Sequence, residues 1–108
     1  MGEVHLPVVG VSFEGRPKRV KALAVFCAKG GKPDVFVKPV KNEHDPQAVA
    51  VFWKYKDKDY QLGFVPRDVS ALVRLAIENK MVKEVRLDDV GHDENKDIVY
   101  ARIIINIE

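Results

Sequence analysis

The chain has a single cysteine among its 108 residues, no long apolar run and almost no charge bias, and each of these shortages excludes something. Cys27 alone cannot close an internal disulfide. Within Leu23-Ala24-Val25-Phe26-Cys27-Ala28 it reads as a small buried hydrophobe, and the cytosol suits such a chain. No stretch approaches the roughly 20 apolar residues that a spanning helix needs. The N-terminus, MGEVHLPVVGV, carries an acid where a secretory leader carries basic residues, and Pro7 interrupts its short apolar part, so export is not expected. With 18 Lys and Arg against 16 Asp and Glu, the net charge of +2 is too mild to announce a nucleic-acid partner by bulk electrostatics. Chemical signatures are missing as well. There is no Gly-x-Ser-x-Gly, no P-loop and no dinucleotide fingerprint. His5, His44 and His92 lie far apart, with no Cys or His at zinc-ligand spacing, and Gly30-Gly31-Lys32-Pro33 is a turn rather than a phosphate cradle. A non-enzymatic domain without a resident cofactor or metal is the expectation.

An apolar share of 46% and a charged share of 31% suit one globular domain spanning residues 1–108, with no repeat, linker or low-complexity segment. Residues 4–13 are rich in β-branched side chains and stop at Glu14-Gly15-Arg16-Pro17, which predicts a strand and a turn. Residues 20–27, with Leu23, Val25 and Cys27 on one face, predict a second strand before the turn at 29–34. Residues 35–40 predict a third near a rim, because Pro39 cannot donate a ladder hydrogen bond. Residues 48–53 are apolar on both faces, as a central covered strand is, and residues 60–65 return beyond a polar turn. From Asp68 to about Asn79, Val69, Leu72, Val73, Ala76 and Ile77 recur at helical spacing, with Arg74 and Glu78 on the wet side. A strand over 82–87, a charged loop over 88–97 and a longest, final alternating strand over 99–107 complete the reading. The expected fold is mostly β: a small antiparallel barrel of six or seven strands with one α-helix.

Charge is more informative by place than by sum. Arg16, Lys18, Arg19 and Lys21 gather at one turn and Lys54, Lys56 and Lys58 at another, where they either flank a binding surface or simply solvate two hairpins. Asp88, Asp89, His92, Asp93 and Glu94 form an acidic tip without the glycine or spacing of an EF-hand loop; read as a metal-dependent nuclease, it is the least favoured alternative.

The richest segment is Pro39-Val40-Lys41-Asn42-Glu43-His44-Asp45-Pro46-Gln47-Ala48-Val49-Ala50-Val51. Asn42 and Asp45 sit three apart in a loop, and Asp45-Pro46 turns the chain into a strand. Both are turn formers that bond their own backbone, which alone is reason enough for their presence. Together with Gly63-Phe64-Val65-Pro66-Arg67 opening a helix and Val8-Val9-Gly10 in the first strand, this Asn-x-x-Asp-x-x-Ala-Val pattern resembles the HIRAN domain, found at the front of certain helicase-like DNA repair ATPases and sometimes alone. The likeness runs from about Val8 to Asn79, and the chain has the look of a standalone HIRAN protein. What it implies is an OB-like or SH3-like barrel that holds the 3′ end of single-stranded DNA in a pocket, with RNA as an alternative ligand and a helicase or nuclease acting in trans as a possible partner.

The implied site is Ser12, Phe13, Asn42, His44, Asp45, Phe64 and Arg67. Asp45 as an anionic acceptor suits a terminal hydroxyl and repels an internal phosphate, Asn42 donates to phosphate, and Arg67 meets the backbone near a helix N-terminus. His44 stands where DNA-binding relatives commonly show tyrosine and offers a smaller stacking face. Ser12-Phe13 replaces an Arg-Tyr pair, losing a guanidinium fork for which Arg16 or Arg19 is a substitute. Phe13 fits either a stacking or a core role. The rival reading is a protein-interaction or structural barrel whose pocket has drifted.

Overall fold

The computed structural model describes residues 2–108 as β1 (Gly2–Pro7), α1 (Arg16–Ala28), β2 (Asp34–Pro39), β3 (Val49–Tyr55), β4 (Lys58–Phe64), α2 (Arg67–Glu78), β5 (Val82–Asp93) and β6 (Ile98–Ile107). The strands form two antiparallel sheets of three, in the orders β1-β6-β5 and β2-β3-β4. One core joins them: Ile103 and Ile105 of β6 and Val49 and Val51 of β3 are all completely buried. As expected, β3 is the central strand of its sheet, and β2 is an edge with Pro39 at its end.

The barrel does not close. On one side the chain after β1 stitches the sheets together, Val8 N–H donating to Ala101 O at 2.8 Å and Val9 exchanging backbone bonds with Phe64 at 2.9 and 2.8 Å. On the other side the edges of β2 and β5 face each other across a gap between Val35, Val37, Val82 and Val85, with no ladder between them. The first strand stops at Pro7 rather than Phe13, and Gly10 (φ 72°) then turns the chain.

Residues 20–27 are helix rather than strand, so the domain has two helices. Pro17 falls in the first turn, where its missing N–H costs nothing, and Lys21, Ala22, Leu23, Ala24 and Ala28 are strong helix formers. The buried positions, Val20, Leu23 and half-buried Cys27, follow a spacing of three to four, while Val25 is 52% exposed. Burying residues such as Val20 and Leu23 contributes about 1.5–3 kcal/mol each, and it outweighs the β preference of the two valines and one phenylalanine.

The charged segment 88–97 is mostly strand as well. β5 runs to Asp93, leaving only residues 94–97 for the turn, which Asp93 organises by accepting the Asn95 N–H at 3.0 Å and the Lys96 N–H at 3.3 Å. β5 is a sheet edge, where charged side chains face water and discourage pairing with other chains. At 12 residues it is longer than the final strand, which has 10. In α2, Val73 and Ala76 are buried, but Leu72 is exposed, and Arg74 turns inward to donate to Ala48 O at 3.2 Å.

Candidate nucleic-acid interface

Four segments converge at one end of β4. Loop 41–47 joins β2 to β3, Phe64 closes β4, Arg67 opens α2, and residues 10–16 lead into α1. The loop holds itself. Asn42 Oδ1 accepts the His44 N–H at 2.8 Å, and Asp45 Oδ1 accepts the Gln47 N–H at 2.9 Å, each two residues on, the Asx-turn geometry these residue types favour. Asp45 Oδ2 faces Ser70 Oγ at 3.4 Å, but that hydroxyl lies closer to Arg67 O, at 3.0 Å. One hydroxyl has one proton to give, and 3.4 Å is long for O–H···O, so the Arg67 carbonyl takes it. Oδ2 is therefore left short of a donor.

Phe64 lies between two adjoining hollows that share Asn42, His44 and Phe64. The smaller, about 190 Å³, is completed by Val9, Asp45, Ala48, Val65 and Arg67. The larger, about 360 Å³, is completed by Glu14, Arg16, Val40, Lys41, Glu43 and Gln61. Glycine makes the close approaches possible. A Cβ on Gly63 would collide with Val9 O, and Gly10, in the left-handed region, places its carbonyl against Arg16 where a Cβ would stand 3.2 Å from Nη1.

Of the seven residues implied by the sequence, Asn42, His44, Asp45, Phe64 and Arg67 line this cleft. Ser12 and Phe13 do not line it; both are exposed on the preceding turn, Phe13 by 64%. The buried cation of the cleft is Arg16, which stands outside the short motifs. It is 6% exposed, donates from Nη1 to Gly10 O at 2.7 Å, meets Glu14 Oε2 from Nη2 at 3.1 Å, and sets its guanidinium 4.9 Å from the centre of the Phe64 ring. Its Nε is buried and has no hydrogen-bond partner among the described residues. Only position could reveal it, since four basic residues crowd residues 16–21 and the sequence does not rank them. Arg19, the other candidate substitute, instead donates to Gln61 O at 2.9 Å. Lys54, Lys56 and Lys58 sit at the far end of the β3–β4 hairpin, six residues and roughly 20 Å from Phe64, so they do not flank the cleft.

The remaining reactive groups lie elsewhere. Burial pushes the Cys27 thiol up, away from the reactive thiolate. Asp97 is held below the usual carboxylate range, first by its hydrogen bond with His92 and then by Lys21, which ties the acidic tip to α1 rather than to the cleft. Among the described residues no group of three His, Cys, Asp or Glu is placed to hold a metal ion, and no helix is long and apolar enough to cross a membrane.

This is a β-rich domain whose loops and glycine contacts open onto an aromatic ring backed by a guanidinium, the build of a small binding module. The model of the HIRAN domain matches residues 1–104, nearly the whole chain, and the protein belongs to the HIRAN family of nucleic-acid-binding modules, which are generally non-catalytic on their own. The match extends past Asn79 into β5 and β6, beyond the reach of the short motifs. No curated protein and no solved structure matches the chain.

Proposed function

We propose that the domain binds the 3′ end of single-stranded DNA in the cleft around Phe64. The observation that carries this is the convergence of Asn42, His44, Asp45, Phe64 and Arg67, drawn from three separate segments, on one hollow of about 190 Å³. That volume is below the roughly 300–1,000 Å³ of ordinary small-molecule pockets and suits a single terminal group. The terminal base stacks on Phe64, whose ring Arg16 braces, with His44 beside it. Arg67 meets phosphate at the start of α2, where free backbone N–H groups and the positive helix end also favour an anion. Asp45 Oδ2 accepts the terminal hydroxyl, filling the place that Ser70 leaves weakly served. A further nucleotide attached there would bring a phosphate against the carboxylate, which disfavours continuing polymer. The module would then present DNA ends to an enzyme acting in trans.

Fluorescence anisotropy with single strands ending in a 3′ hydroxyl, a 3′ phosphate or a blocked 3′ carbon tests this reading. The hydroxyl end is expected to bind tightest. Equal binding of all three would remove the end-reading role, and no binding even at low salt would favour the drifted, protein-binding barrel. Ribose ends in the same series separate RNA from DNA as the preferred ligand.

A further inference from the structure

Arg16 is a nearly buried cation whose one ionic partner among the described residues, Glu14, is almost free: the Glu14 side chain is 80% exposed and meets the guanidinium at Nη2, 3.1 Å away. The guanidinium has two donor edges. Nη1 is committed to Gly10 O, while the edge formed by Nε and Nη2 is the one that grips a carboxylate or phosphate two-pronged, and its Nε is buried with nothing to bond. A single-pronged carboxylate thus occupies half of a two-pronged anion site. The start of α1 fixes its position rather than adding donors: the Arg16 N–H is taken by Phe13 O at 3.0 Å, Pro17 has no N–H, and Glu14 and Gly15 both adopt left-handed backbone (φ 55° and 76°) at the entrance to this 13-residue helix. Glu14 and Arg16 together line the larger hollow, next to Phe64.

We propose that the Arg16 guanidinium is a phosphate site, and that the Glu14 carboxylate occupies it as an internal stand-in until a nucleic-acid phosphate displaces it. This rests on the cleft reading above and extends it to a second subsite, one phosphate in from the end. Displacement is easy in one direction only. Glu14 is the partner free to leave, its side chain being 80% exposed and its single-pronged contact screened by water, whereas Arg16 stays pinned by Gly10 O and the Phe64 ring. A phosphate arriving there gains both Nη2 and the orphaned Nε, which Glu14 does not satisfy. The acid therefore lowers affinity for any polyanion while keeping the buried guanidinium paired in its absence.

The test is a binding series with a short 3′-hydroxyl oligothymidylate. Glu14→Gln should tighten binding about three- to five-fold, the range for removing a competing carboxylate that is itself largely in water. Glu43→Gln removes the same charge from the same hollow without an ion pair to Arg16, and should change affinity less than twofold. The Glu14→Gln gain should vanish when Arg16→Met is added. Where the parent binds the oligonucleotide, no gain from Glu14→Gln, or an equal gain from Glu43→Gln, overturns the proposal. As a check that does not depend on the Arg16 variant folding, the Arg16 Nε–H resonance of Glu14→Gln should shift on titration with inorganic phosphate, and a static resonance also overturns it. If oligonucleotides fail to bind any variant while phosphate still shifts that resonance, the anion site stands and the end-binding reading falls.

Discussion

At Asp45 the two carboxylate oxygens have different surroundings: Oδ1 accepts the Gln47 N–H at 2.9 Å, whereas Oδ2 faces a Ser70 hydroxyl whose proton lies nearer the Arg67 carbonyl. Loop order and the proposed end recognition are thereby separable. Asp45→Asn keeps an oxygen for Gln47 and loses the anionic acceptor, so urea denaturation should find stability within about 0.5 kcal/mol of the parent while preference for a hydroxyl end disappears. Asp45→Ala loses the loop bond too and should cost about 1 kcal/mol. Aromatic roles separate in the same way. Phe64 lines both hollows and Phe13 neither, so Phe64→Ala should weaken strand binding by ~1–3 kcal/mol in anisotropy titrations, and Phe13→Ala by much less. Asn42, His44, Asp45, Phe64 and Arg67 were legible because their motif is short and local. Arg16 was legible only as one of several cations, since its value comes from burial against a ring 48 residues away in the chain, which no spacing encodes.

Helix α1 shows where local pattern misleads. Read as a strand, residues 23, 25 and 27 share a face; in the helix Leu23 is buried and Val25 is 52% exposed. Leu23→Ala should therefore cost about 2–5 kcal/mol in thermal or chemical unfolding, and Val25→Asp should stay within about 0.5 kcal/mol, whereas a strand would penalise both. Short apolar runs with two β-branched residues fit either period, and packing against β4, β5 and β6 decides. Edge strand β5 was partly hidden for a different reason: its charges, natural at an edge, look like a loop when tertiary position is unknown. β1, β6 and β5 are also tied across their faces, Arg86 of β5 reaching over β6 to Glu3 of β1 at 2.7 Å. The hydrogen bond from Arg86, then its charge, holds the Glu3 carboxyl below its ordinary value. A depressed folded value means that the contribution is full above the unfolded pKa and is lost as pH falls through the folded one. Protection of the amides at the ends of β1 and β5, corrected for intrinsic exchange, should fall as pH drops below the ordinary Glu range, and Glu3→Gln should show that lower protection already at neutral pH.

Taken whole, the molecule is two small sheets stitched along one seam by Val8 and Val9 and left open along the other between β2 and β5. The stitched seam matters for the proposed binding because it is the same crossing, Val9 against Phe64, that brings the residue 10–16 turn beside the loop before β3 and forms the cleft. Mostly-β character was legible from alternation; incomplete closure was not, because sheet edges meet through distances that no single strand's sequence carries. The central claim is that the cleft reads a free end. Its most direct test is anisotropy competition between a linear single strand with a 3′ hydroxyl and a covalently closed circle of the same sequence and length, at one salt concentration. The linear strand should compete at least about tenfold better, the margin expected from losing one stacked base at the end, and a circle that competes equally well would contradict the account.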